Sequence, residues 1–177
     1  MKPEQPAPPK PALVAFRVGM GTWLSFATAP KPAFGLTLDV GLRISPYFSI
    51  AAEGRWDAPA AGTVAAGVDV SSTLLLGGLV ACGHAGYFAG CLVGSLGQVR
   101  GSLSTMGAVV PSQQTALYDA GGVRLGVEIP VIRARLSVRI AADLLGARPA
   151  VFTLGGVRQW ATATVTGGVG AGLVAGF

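Results

Sequence analysis

Residues 33–45, AFGLTLDVGLRIS, alternate without a break. Phe34, Leu36, Leu38, Val40, Leu42 and Ile44 hold the even positions, and Gly35, Thr37, Asp39, Gly41, Arg43 and Ser45 hold the odd ones. A period of two belongs to a β-strand, whose side chains point to opposite faces in turn. Strands of soluble sheets run to about 5–6 residues, whereas about 9–11 tilted residues cross a bilayer. A segment this long with one wholly apolar face constrains the fold more than any other feature of the chain.

The pattern recurs. In 13–26, Val14, Phe16, Val18, Met20, Leu24 and Phe26 oppose Ala15, Arg17, Gly19, Gly21 and Trp23. In 47–57, Phe48, Ile50, Ala52 and Trp56 oppose Ser49, Glu53, Arg55 and Asp57. In 64–82, Val68, Val70, Leu74, Leu76 and Val80 oppose Asp69, Ser71 and Thr73, with Leu75 and Leu79 blurring the far end. Residues 118–129 set Val123, Leu125, Val127 and Ile129 against Arg124 and Glu128. Residues 133–144 set Leu136, Val138, Ile140 and Leu144 against Arg135, Arg139 and Asp143. Segment 87–100 is apolar on both parities, and 160–177 ends with Val169, Ala171, Leu173, Ala175 and Phe177 on one face.

Composition decides what such strands build. Apolar residues make up 51% of the 177 residues and charged residues only 12%, too few to coat an ordinary soluble enzyme and too apolar for a disordered chain. Residues 73–97 and 160–177 carry no formal charge and are long enough to span a bilayer as helices. Their Gly, Thr and Val content favours strands instead. Eight strands, an even number, predict an all-β fold: an eight-stranded antiparallel transmembrane up-and-down β-barrel, closed because no sheet edge can stay unpaired in hydrocarbon. A soluble sandwich also alternates, but in shorter strands.

Connections near Ser45-Pro46, Gly83–Gly86 and Pro130 are tight, while 27–33, 58–63, about 101–117 and about 145–159 are longer. Short periplasmic turns and longer extracellular loops put both termini in the periplasm. Phe26, Phe34, Trp56, Tyr118 and Trp160 then fall near the outer strand ends, and Tyr47, Phe48, Tyr87, Phe88 and Phe177 near the inner ends, as two interfacial girdles. Residues 13–177 resemble the eight-stranded outer-membrane barrels of the outer-membrane-protein-A/X type, in the Gly/Ala/Val-rich style of GC-rich Gram-negative genomes. The resemblance implies that Phe177, preceded by Val169 and Leu173 in alternation, is the signal to the barrel-assembly machinery. Ala175 stands where that signal usually has a second aromatic.

An eight-stranded barrel is filled by its own side chains. The lumen parity holds Arg17, Arg43, Arg55, Arg124, Arg135 and Arg139 with Asp39, Glu53, Asp57, Asp69, Glu128 and Asp143. Charges are kept inside only when paired, so these predict an Arg–carboxylate network plugging the lumen. Of the remaining cations, Lys31, Arg100, Arg148 and Arg158 fall at the expected extracellular rim, placed to contact lipopolysaccharide phosphates; Lys2, Lys10 and Arg133 lie elsewhere. No basic stripe interleaved with aromatics points to nucleic acid.

Cys82 and Cys91 flank one inner turn, and in an oxidising periplasm they are expected to form a hairpin disulfide. The single histidine, His84, reads as a turn residue without a Ser partner. With no triad, cofactor loop or metal-ligand spacing, the reading is of a protein that is no enzyme and needs no cofactor. Residues 1–12, rich in Pro, read as an extended periplasmic linker. No apolar signal region follows Met1, so the expectation is a mature or excised segment with an added Met, preceded in the native protein by a periplasmic domain. The leading function is that of an outer-membrane structural anchor for a periplasmic segment. A small-solute pore, an envelope sensor or a surface-binding barrel are the alternatives.

Overall fold

The computed structural model describes residues 15–65, 68–105, 112–132, 135–154 and 156–177. The expected linker 1–12, with Lys2 and Lys10, and Arg133 lie outside the described residues. Ten strands follow in order: β1 Ala15–Phe26, β2 Ala33–Ser45, β3 Phe48–Ala65, β4 Val68–Ala85, β5 Phe88–Thr105, β6 Ser112–Ile132, β7 Leu136–Ala147, β8 Val151–Leu154, β9 Val157–Ala161 and β10 Val165–Gly176. Eight of them close into a barrel in which each pairs antiparallel with its neighbours, β1 meeting β10 at the seam. Strands β8 and β9 form a separate hairpin between β7 and β10.

The register fixes the barrel's shape. From Asp119 on β6, successive partners Leu96, Gly77, Gly54, Leu38, Met20, Leu173 and Val138 lead around the wall and back to β6 at Ile129, ten residues along the strand. That stagger tilts the strands, as closure of eight strands requires. Along the path the outward side chains Met20, Leu38, Leu96, Leu173 and Ile129 are all exposed. They belong to a continuous apolar band, with Leu36, Leu79, Leu125 and Leu144 also exposed. Such a surface fits hydrocarbon.

Strands β3 to β6 are 18 to 21 residues long, against 12 or 13 for the other four walls of the barrel. Pairing of β2 with β3 stops at Gly35–Asp57, and that of β6 with β7 stops at Ala120–Ala147. Beyond those points β3, β4, β5 and β6 continue as a four-stranded sheet projecting past one rim. The expected loop 58–63 is therefore strand, and most of 101–117 is strand as well. The expected loop 145–159 contains the end of β7, all of β8 and part of the hairpin's second strand, so the final wall begins at Val165 rather than at residue 160.

In β4, inside and outside are reversed from the pattern expected of a barrel with a polar lumen. Val70, Leu74, Leu76 and Val80 point inward and are buried, while Leu75 and Leu79 point outward. Together with Val93, Val99, Leu103, Ala120 and Leu145 they give the interior an apolar half lined by β4 to β7. Asp69, on the opposite parity, is exposed on the outer face of the projecting sheet, where Thr63 Oγ1 donates to it at 2.6 Å. Tyr118, expected in the outer girdle, is 1% exposed inside the barrel, with its hydroxyl 3.1 Å from that of Thr166. Trp160 packs on Phe152 in the hairpin. The other eight girdle aromatics are exposed. An arginine at Leu79 is expected to destabilise the barrel in phospholipid vesicles by roughly 2–4 kcal/mol. The same change at exposed Thr63 should stay within about 0.5 kcal/mol, both read from urea unfolding.

Candidate functional site

The charged half of the interior lies on β1, β2, β3, β6 and β7. Its middle is Arg124 on β6. This guanidinium makes two forked contacts: Nε and one amino nitrogen donate to Asp143 at 2.6 and 2.9 Å, and both amino nitrogens donate to Glu53 at 2.5 and 2.8 Å. Asp143 is its register partner on β7, but Glu53 lies on β3, across the lumen. Glu53 itself stands opposite Asp39 on β2, an unfavourable pairing of like charges on adjacent strands. Arginines from the far wall resolve it, Arg124 reaching Glu53 and Arg139 reaching Asp39. Arg17 on β1 spans to Glu128 on β6 at 2.5 Å.

Toward the projecting rim, Arg55 grips Asp57 through two bonds of 2.9 and 2.8 Å. Ser25 completes the group, accepting from Arg55 at 2.7 Å and donating to Asp57 at 2.6 Å. Between the two clusters lies the indole of Trp23, with the guanidinium carbons of Arg124 and Arg55 at 5.0 and 5.6 Å from it. Gly168 and Gly170 on β10 leave the space this ring fills; a Cβ at either would overlap the indole.

Four arginines and five carboxylates are thus joined in the interior among the described residues. Three expected members stand apart. Asp69 is outside the barrel. Arg135 is exposed at the β6–β7 turn, its backbone N–H bonded to Ile132 O. Arg43 is at the mouth, donating to Pro46 O at 2.9 Å. Each lies near a strand end or beyond the barrel wall, where alternation no longer means lumen.

The Cys82–Cys91 disulfide faces inward near the short-turn end, the two residues being direct partners on β4 and β5. His84 is part of β4, not a free turn residue, and it has a serine partner: Nε2 is 2.8 Å from Ser49 Oγ on β3. Two residues after Cys82, it shares that cysteine's inward parity, the one signal in the sequence that could have placed it. These groups and the Arg17–Glu128 pair line a vestibule with about 50 Å3 of open space. Glu53 and Arg124 line its inner end, and two further gaps beside them have about 10 Å3 of open space each.

At the projecting rim the β8–β9 hairpin folds over the interior, β8 against β6 and β9 against β3. Phe152 is fully buried, in space left by Gly101. The Gln114 side chain pairs with Thr153 as a strand would, accepting from its N–H at 3.0 Å and donating to its carbonyl. Lys31, Arg100, Arg148 and Arg158 are exposed at this same end. Phe177 is exposed at the other, its N–H bonded to Phe16 O at 2.9 Å, so residues 15 and 177 lie at one end. No group of three or more metal-ligating side chains occurs among the described residues.

No protein-family model and no curated protein matches the sequence. Solved structures do match in fold. One is Ail, the attachment invasion locus protein of Yersinia pestis, in complex with the heparin analogue sucrose octasulfate. It has 9% identity and a TM-score of 0.57 over 94% of this chain and 100% of that one. Neisserial surface protein A has 13% identity and a TM-score of 0.52 over 94% and 98%. The fold is that of the small eight-stranded outer-membrane barrels.

Arg124→Met strands Glu53 and Asp143 in the interior, and should cost about 3–5 kcal/mol of stability in denaturant unfolding. Adding Glu53→Gln should recover part of that loss. Gly170→Leu should cost roughly 1–3 kcal/mol by displacing Trp23.

Proposed function

We propose that this chain is a bacterial outer-membrane barrel that works as a closed structural anchor rather than a pore. The observation that carries the reading is Arg124, which ties β6 and β7 to Glu53 on the facing wall and fills the waist of the lumen. Paired charges that satisfy one another leave no path for a hydrated ion, and the buried Phe152 closes the rim above them. The outward apolar band and the eight-stranded outer-membrane fold support the location.

In this reading the end with tight turns and both described termini faces the periplasm, and the projecting sheet faces outward. Phe177 is then presented to the barrel-assembly machinery. Lys31, Arg100, Arg148 and Arg158 stand at the level of lipopolysaccharide phosphates and bind them electrostatically. That Ail was crystallised with a polysulfated sugar is a parallel for anions at a barrel of this fold. In this reading the contact between Ser49 and His84 is structural, joining β3 to β4 beside the disulfide.

Purified protein in planar bilayers at high salt should show no single-channel steps, and Arg124→Ala with Glu53→Ala should introduce them. Regular steps from the unaltered protein would overturn the anchor reading in favour of a pore. Replacing the four rim cations with Gln should weaken binding to lipopolysaccharide-containing vesicles and flatten its salt dependence.

A further inference from the structure

The sulfurs of Cys82 and Cys91 lie on the inside of a closed wall. Cys91 is 6% exposed, and the vestibule that both residues line has about 50 Å3 of open space, room for a handful of waters. Disulfides form by attack of a thiolate on a sulfur of another disulfide, so a protein oxidant must bring its own sulfur into contact with one of these two. A globular domain of about 100 residues has a radius of gyration of about 13 Å, while an eight-stranded barrel is only wide enough for its own side chains. Arg17–Glu128 and Ser49–His84 line the same vestibule and narrow the approach further.

We infer that this disulfide is made before the barrel closes, by a protein thiol oxidase acting on the open chain, and that closure then withdraws it from protein-mediated exchange. The hairpin's own register makes the early step feasible. Cys82 and Cys91 are direct partners three positions from the last pair before the turn, Ala85–Phe88, so formation of β4 and β5 alone brings them together. One thiolate attacks the oxidase disulfide, giving a mixed disulfide and releasing one oxidase thiolate. The second cysteine displaces the other. Two electrons and two protons pass from the cysteine pair to the oxidase, which leaves as its dithiol. The outer-membrane reading enters only in saying that the chain meets this oxidase in the periplasm.

The test uses the whole chain and purified components, while cell fractionation reads location separately. The reduced chain, held open in urea or folded in detergent, is given a thioredoxin-fold oxidase, and remaining thiols are counted by alkylation and mass. Oxidation of the folded barrel is expected to be slower by on the order of a thousandfold or more, since reaction must wait for opening. A reduced chain that refuses to fold until oxidised supports the same order of events. Independently, the oxidised folded barrel is challenged with thioredoxin and its reductase, and is expected to keep its disulfide until denatured. Equal rates for open and folded chains, or reduction of the folded barrel at the rate of the open one, would overturn the inference.

Discussion

A strand in hydrocarbon has no water to satisfy its amides, so every backbone N–H and C=O must find another strand. This requirement makes β1 pair with β10 and turns eight strands into a ring. The ring then determines its contents. A stagger of ten residues around eight strands leaves an interior of side-chain width, and what the sequence places at inward positions must fit and pair there. Asp39 beside Glu53 would be a poor choice on an open sheet. Inside the ring it works, because Arg139 and Arg124 face the pair from the opposite wall.

The two halves of the interior use different physics. In the charged part, groups on β1 to β3 meet Arg124, Arg139 and Asp143 on β6 and β7 through forked hydrogen bonds, with Trp23 lying under two guanidinium groups. On β4 to β7, Leu74, Leu76, Val80, Val93 and Leu145 pack as a soluble core would. The projecting sheet extends that apolar half past the rim, and Phe152 on the hairpin covers it. The four long strands and the inserted hairpin are thus parts of one construction, a core that outgrows the barrel and needs a cover.

Alternation in residues 33–45 defines β2 to the residue, and the inward parity of Arg17, Glu53, Arg55, Arg124, Arg139 and Asp143 follows from it and from its counterparts on the other strands. What alternation does not reveal is which parity faces in. With two apolar faces available, Val70 and Leu74 look as suited to lipid as Leu75 and Leu79, and so Asp69 reads as a lumen residue. Tyr118 is ambiguous for the same reason, since a strand-end aromatic suits an interface as well as the interior it occupies. Small residues mislead differently: the alanine-rich run 58–63 has no large apolar side chain on either face, because above the rim it meets no lipid. Partnership across three strands, as between Arg124 and Glu53, needs the closed ring before it can be read, whereas Ser49 and His84 are joined through neighbouring strands.

The division of the interior has a consequence for how such a wall can change over time. Its charged half is interlocked, with Arg17, Arg124 and Arg139 each answering to a carboxylate on another strand, so alterations there must come in matched sets. Its apolar half is held by packing and by the Cys82–Cys91 disulfide. A few shortened side chains among Leu74, Val93 and Leu145 would hollow out a pocket beside an untouched electrostatic frame. The same barrel is therefore a ready starting point for a small-molecule carrier, with its rigidity and its capacity for novelty located in different parts of one lumen.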